Sequence, residues 1–119
     1  MKNRVLLIDL DPQGNASVGC GVDPRSLLVS AYDVLLGSHT IEQSRFQLGE
    51  LGLDLLPSNG DLTAAEVVLL NKEGREYALK RAVQQVTDQY DWIIIDCPPS
   101  LNILTLNALA AADSVLIPM

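Results

Sequence analysis

The sequence predicts an α/β fold in three layers, α/β/α, around a mostly parallel sheet. Three observations lead to it. Val5-Leu6-Leu7-Ile8 and Ile93-Ile94-Ile95 are apolar runs with no polar alternation, which suits strands buried on both faces of a parallel sheet. Each run ends in acid, Asp9 and Asp11 after the first and Asp96 after the second. Between and beyond them lie stretches with three- and four-residue apolar spacing, so strands and helices alternate as in right-handed βαβ units. In open sheets of this kind ligands sit just beyond the carboxyl ends of the strands, where these three acids stand.

Composition narrows the function classes. A chain of 119 residues fits one domain, and 48% hydrophobic against 19% charged residues excludes a disordered segment. The longest apolar stretches fall far short of the ~20 residues a membrane-spanning helix requires. The start lacks a basic-then-apolar signal segment, so the expected address is cytoplasmic. A net charge of −7, from 15 acids and 8 bases, repels phosphate backbones and anionic lipid, so this chain by itself is a poor nucleic-acid or membrane-surface binder. Cys20 and Cys97 belong to no C-x-x-C pair; they are expected as buried or half-buried free thiols.

Taken in order, the first strand spans about Arg4 to Leu10. Pro12-Gln13-Gly14-Asn15 turns the chain, and Ala16 to Gly21 reads as a short helical turn ended by glycine, before the break at Asp23-Pro24. Ala31, Val34 and Leu35 mark a short amphipathic helix opened at Ser30 and closed by Gly37. Thr40 caps a second one through Glu42 and Gln43, and His39 is expected as a solvated loop residue between them. Leu53 to Leu56 is a strand whose exit is marked by Pro57-Ser58-Asn59.

Asp61 or Thr63 then opens a helix through Ala64, Ala65, Val67, Val68 and Leu69. After Gly74, the stripe Tyr77, Ala78, Ala82, Val83 and Val86 predicts a longer helix lying on the sheet. Ile93 to Asp96 repeats the opening pattern, Cys97-Pro98-Pro99-Ser100 is a rigid turn, Asn102 to Ala112 is helical, and Ser114 to Ile117 is a last strand.

An acid at the tip of a buried parallel strand suits Mg²⁺, a hard cation that takes one or two carboxylates and keeps several waters. Asp96 fits that Walker B role, and the Asp9/Asp11 pair offers one carboxylate to a metal shell and another to an attacking water.

The stretches VLLIDLDPQGN, YDVLLG, LDLLPSNGDL, REYALKRAV and WIIIDCPPSLNILTLNALAAADSVLIP, in this order, resemble the ParA/Soj family of chromosome- and plasmid-partitioning ATPases, deviant-Walker P-loop NTPases that also include MinD. The resemblance runs from about Arg4 to Pro118. It implies ATP and Mg²⁺ as cofactors. Asp11 corresponds to the residue that orients the hydrolytic water, Asp9 to the acid beside the magnesium shell and Asp96 to the Walker B aspartate. Gln13, Gly14 and Asn15 continue the first switch, and Pro98, Pro99 and Ser100 form the second, which senses the γ-phosphate. The implied partners are a second copy in an ATP-dependent dimer, a ParB-type protein and nonspecific DNA, with nucleoid association.

The sequence also departs from the family. It holds no Gly-Lys dipeptide, whereas the family places a K-G-G-V-G-K-T loop immediately before the first strand. Residues 1–119 therefore resemble a single partial domain, with the P-loop segment and the C-terminal part of the family domain outside it. The expectation is a chain without ATPase activity of its own, acting at most as an interaction module, and prone to oligomerise through surface the rest of the domain would cover. MinD-like and iron–sulfur-carrier-like relatives are the alternatives, and DPQGN after the paired acids favours ParA.

Overall fold

The computed structural model describes residues 4–97 and 102–112. In these residues four strands form one sheet: β1 (Val5–Asp9), β2 (Phe46–Leu48), β3 (Leu53–Leu56) and β4 (Trp92–Asp96), in the order β2-β3-β1-β4. β1 is central and runs parallel to both β3 and β4, while β2 pairs antiparallel with β3. The expected α/β fold with a mostly parallel sheet is present. Sequence reasoning missed β2, a three-residue strand with no apolar run; the turn through Gly52, at φ 72°, folds it back on β3. The expected strand Ser114–Ile117 and the turn Pro98–Ser100 lie outside the described residues.

Among the described residues six α-helices connect and cover the strands: α1 (Asn15–Gly19), α2 (Ala31–Leu36), α3 (Ile41–Ser44), α4 (Ala65–Leu69), α5 (Ala78–Gln84) and α6 (Ile103–Ala111). Their starts follow local chemistry. Ser30 and Asp33 form a capping box on α2, Thr40 and Gln43 another on α3, and the Asn102 carboxamide accepts from the backbone N–H groups of Leu104 and Thr105 on α6. Gly37, at φ 81°, closes α2 in the left-handed conformation that favours glycine.

One face of the sheet makes the core. Leu6, Ile8 and Leu56 pack with Ala31, Val34, Leu35, Leu69, Leu79, Ala82, Val86, Ile103 and Leu104 from the helices. The register places Val5 beside Trp92 and Leu7 beside Ile94 on the other face, where Trp92 is 61% and Ile94 53% exposed. Two expected helical stripes are narrower than their sequence suggests. In α4 only Ala65 and Leu69 are buried, with Val67 74% exposed, and Tyr77 stands outside the α5 stripe in a 3-10 turn. Five- and seven-residue helices bury one i, i+4 pair or little more, so the remaining apolar residues face out. His39 departs too: it is half-buried, because the turn after α2 lies against the α4–α5 connection.

Polar side chains tie the layers where hydrophobic contact cannot fix orientation. Asn107 of α6 is fully buried; its Oδ1 accepts from Leu79 N–H at 2.9 Å, and its Nδ2 donates to the carbonyls of Arg75 at 3.0 Å and Ile103 at 2.8 Å. Since α5 has no side-chain cap of its own, α6 supplies one from across the interface. At the other end of the sheet, Tyr90 O–H donates to Asp54 of β3 and Arg45 donates to Tyr90 at 2.7 Å. Burial, with the Asp54 carboxylate beside it, pushes the Tyr90 hydroxyl up to about 12.

Replacing Asn107 by Ala orphans the buried Leu79 N–H and removes a donor from the carbonyls of Arg75 and Ile103. The expected loss is about 2–3 kcal/mol of unfolding free energy in urea titration, from a penalty of roughly 1–3 kcal/mol per unsatisfied buried group. Asn107→Leu, which restores volume but not the bonds, is expected to lose a similar amount.

Candidate functional site

The candidate site is built at the carboxyl edge of the sheet from the ends of three adjacent strands. β1 delivers Asp9 and then Asp11, β4 delivers Asp96, and β3 delivers Ser58. Asp9 and Asp96 are register partners, and Leu10 N–H donates to the Asp96 carbonyl at 2.7 Å, which extends the β1–β4 ladder to the tips.

Asp9 is fully buried, and three donors bind its carboxylate. Oδ1 accepts from Asp11 N–H at 3.0 Å; Oδ2 accepts from Ser17 N–H at 2.9 Å and from Ser17 Oγ at 2.7 Å. Charge-assisted bonds of this number offset the cost of removing a carboxylate from water. Ser17 is the third residue of α1, whose N-cap, Gly14, has no side chain to offer, so Asp9 caps that helix from eight positions upstream.

The same network continues into β3. Ser17 Oγ accepts from Ser58 N–H at 3.1 Å, and Ser58 Oγ donates to the carbonyl of Asp11. Ser17 and Ser58 are both fully buried. Gly14 is held at φ 67°, where an added Cβ would meet Pro24 Cγ at 2.8 Å and the Ser58 carbonyl at 3.1 Å, so only glycine fits. The backbone of Asp11 is thereby fixed through its N–H by Asp9 and through its carbonyl by Ser58 and by Gly14 N–H at 2.8 Å.

Asp11 itself stays half-exposed. Its carboxylate accepts from Gln13 N–H at 2.9 Å and from Asn15 Nδ2 at 3.4 Å, leaving lone pairs for solvent or a ligand. Gln13 and Asn15 are exposed on the same turn. Asp96 is exposed at the tip of β4. Partial burial, then the charges of Asp9 and Asp11, hold its carboxyl above its ordinary value of 3.8. Burial, with Asp96 next to it, pushes the neighbouring Cys97 thiol up; Cys97 and Cys20 are half-buried free thiols, as expected.

The structure therefore brings Asp9, Asp11, Gln13, Gly14, Asn15 and Asp96 together at one edge. Pro98, Pro99 and Ser100 lie outside the described residues. Sequence reasoning did not identify Ser17 and Ser58; their signal is only a serine among small residues and a serine in a strand-exit turn. Among the described residues no Lys or Arg forms an ion pair with Asp9, Asp11 or Asp96, and no three acid, His or Cys groups hold metal-cluster geometry. Uncompensated acids of this kind fit a cation such as Mg²⁺ that completes its shell with water. They do not by themselves fit a triphosphate, whose charge they repel.

Two outcomes follow from these contacts. Ser17→Ala removes a buried donor to Asp9 and the acceptor of Ser58 N–H, and is expected to cost about 2–3 kcal/mol in denaturant titration, from roughly 1–3 kcal/mol per buried bond broken on one side. Because folding raises the Asp96 pKa, ionising Asp96 opposes folding: the favourable contribution is present below pH 3.8 and is lost as pH rises through the raised value. Asp96→Asn is expected to raise the thermal midpoint at pH 7 and leave it unchanged below pH 3.8.

Comparison with known proteins places this geometry. The AAA domain family matches residues 1–119. The chain is 48% identical to the chromosome partitioning protein ParA of Myxococcus xanthus over 118 residues, covering 99% of this chain and 42% of that protein. It is 45% identical to the sporulation initiation inhibitor protein Soj of Bacillus subtilis over 116 residues, covering 98% of this chain and 46% of that one. A crystal structure of cobyrinic acid a,c-diamide synthase from Mycobacterium smegmatis, with bound ATP analogue and magnesium, superposes with a TM-score of 0.89 at 52% identity, over 92% of this chain and 45% of that one. The chain spans less than half the length of these relatives.

Proposed function

The chain belongs to the AAA domain family, as a member of ParA/Soj type, and on that premise we propose that it forms the switch-bearing part of a DNA-partitioning ATPase. One observation carries the reading: Asp11 is fixed through both its backbone N–H and its carbonyl while its carboxylate remains open, beside a charge-stressed Asp96. In this reading Asp11 orients the hydrolytic water, a role that needs a fixed backbone and a free carboxylate oxygen. Asp96 offers oxygen to Mg²⁺. Asp9, whose lone pairs are engaged by the loop, stands beside the metal as a charge and as the anchor of the switch.

Mg²⁺, when bound, neutralises charge on the β- and γ-phosphates of ATP. Gln13, Gly14 and Asn15 lie on the nucleotide side of the first switch, and Pro98, Pro99 and Ser100 supply the second. The phosphate-cradling donors come from sequence outside these 119 residues, which contain no Gly-Lys dipeptide. ATP-dependent dimerisation, stimulation by a ParB-type protein, nonspecific DNA binding through other parts and a cytoplasmic, nucleoid-associated location complete the proposal. Among the described residues no helix is long and apolar enough to cross a membrane.

The missing Gly-Lys pair favours a second reading for residues 1–119 alone, a non-catalytic piece that self-associates through the face carrying Trp92 and Ile94. Purified chain is expected to show no ATP hydrolysis and to scatter light as oligomers; a sharp monomer peak with Mg²⁺-dependent turnover would count against that reading. The enzymatic role is tested by exchange. With residues 1–119 in place of the matching segment of Myxococcus xanthus ParA, the chimera is expected to hydrolyse ATP. Asp11→Ala in it should lower kcat by about 10²–10⁴-fold, the range for a lost general base, with ATP binding retained. Unchanged kcat in Asp11→Ala would remove Asp11 from the reaction.

A further inference from the structure

We propose that the cavity between the C-terminal turn of α2 and the α4–α5 connection is a binding site for a small phosphate-type oxyanion, separate from the sheet edge. Lys72, Arg75, Arg81 and His39 line it together with an apolar floor that includes Val34 and Leu69, and no acidic residue lines it. Three of the chain's eight Lys and Arg residues thus converge on one concavity, in a chain with 15 acids. Among the described residues none of the three forms an ion pair.

Their donors are only partly used. Lys72 Nζ donates to the Leu36 carbonyl at 3.0 Å, Arg75 Nη1 to the Leu70 carbonyl at 3.2 Å and Arg81 Nη1 to the Gly74 carbonyl at 3.3 Å. These bonds hold Lys72 and Arg75 against the exits of α2 and α4 and Arg81 against the turn that leads into α5. An ammonium has three donors and a guanidinium five, so most remain to be satisfied by water or a ligand. His39 adds an independent sign: its Nδ1 is buried with no hydrogen-bond partner. Buried polar atoms are nearly always paired, and an imidazole with its proton on Nδ1 joins the three cations as a donor to an oxyanion.

Size and surroundings narrow the ligand class. The cavity holds about 260 Å³, below the usual ~300–1,000 Å³ of sites for drug-sized molecules. The buried side chains of Val34, Leu35, Leu69, Ala78 and Ala82 form a floor of low polarisability, over which the attraction between cations and an oxyanion is less screened than in open water. Inorganic phosphate and small phosphomonoesters meet both limits. No lining residue belongs to the Asp9–Asp11–Asp96 edge, so this site stands whether or not the ATPase reading does.

The chain has one histidine, which makes its ring resonance a direct reporter. Titrating the full chain with sodium phosphate, against sodium chloride at matched pH and ionic strength, is expected to shift the His39 ring signals saturably with phosphate alone. Arg75→Gln and Lys72→Gln, changes at exposed positions that leave the apolar floor intact, should each weaken the response at least tenfold, while Asp96→Asn should not change it. Glycerol 3-phosphate producing the same shift would assign the site to phosphomonoesters, and phosphate alone to the free ion. Absence of a saturable shift, or a shift equal in wild type and in both charge variants, would overturn the proposal.

Discussion

The buried carboxylate of Asp9 is the constraint on which the carboxyl edge of the sheet depends. A charge with no exposure to water persists only if its oxygens are bonded, and here the bonds come from Asp11 and Ser17, residues on the loop that β1 itself leads into. The strand tip therefore dictates the loop. Through Ser17 and Ser58 the same carboxylate fixes the exit of β3, and through Gly14 it requires a residue without a side chain at the start of α1. Asp11 can be both rigid in its backbone and free in its carboxylate because its neighbour carries the anchoring.

The helix layer obeys a similar division between apolar mass and polar direction. Leu6, Ile8 and Leu56 with the helical leucines and valines supply the attraction, which has no directional preference. Orientation comes from Asn107, which caps α5 from α6, and from the Arg45–Tyr90–Asp54 group at the far end of the sheet. Short helices of four to nine residues have little stability of their own, so side-chain caps set where they start, local ones on α2, α3 and α6 and ones from Asp9 and Asn107 on α1 and α5. The convergence of Lys72 and Arg75 on the exits of α2 and α4, and of Arg81 on the turn before α5, belongs to the same logic: cations satisfy carbonyls there, and their spare donors leave a positive concavity in an acidic chain.

Much of this was legible before any coordinates. Val5–Ile8 and Ile93–Ile95 announce parallel strands, although the apolar runs predict burial on both faces and β4 leaves Trp92 and Ile94 exposed on one. Ser30 and Thr40 with their partners announce helix starts, and the acids after the strands mark the ligand edge. The motifs from DLDPQGN to IDCPPS carry the ParA/Soj resemblance, in keeping with the similarity to ParA of Myxococcus xanthus and Soj of Bacillus subtilis. Less legible were features with no local signature. β2 is defined by its partner rather than by its own residues, Val67 and Tyr77 face outward because short helices bury narrow stripes, and His39 is drawn in by helices distant in sequence.

By itself, the sequence determined the three parallel strands, where the capped helices begin and which acids stand at the strand tips, because those follow from periodicity, apolar runs and side chain–backbone bonding within a few residues. Only the tertiary structure decided how the acids differ. Asp9, Asp11 and Asp96 are the same residue type at similar places, yet one is a buried anchor, one an open carboxylate on a fixed backbone and one a strand-tip group whose ionisation is opposed first by partial burial and then by the other two charges. Those distinctions arise from Ser17, Ser58 and the Asp9–Asp96 register. These partners lie 8 to 87 positions away in the chain, so no local pattern encodes them.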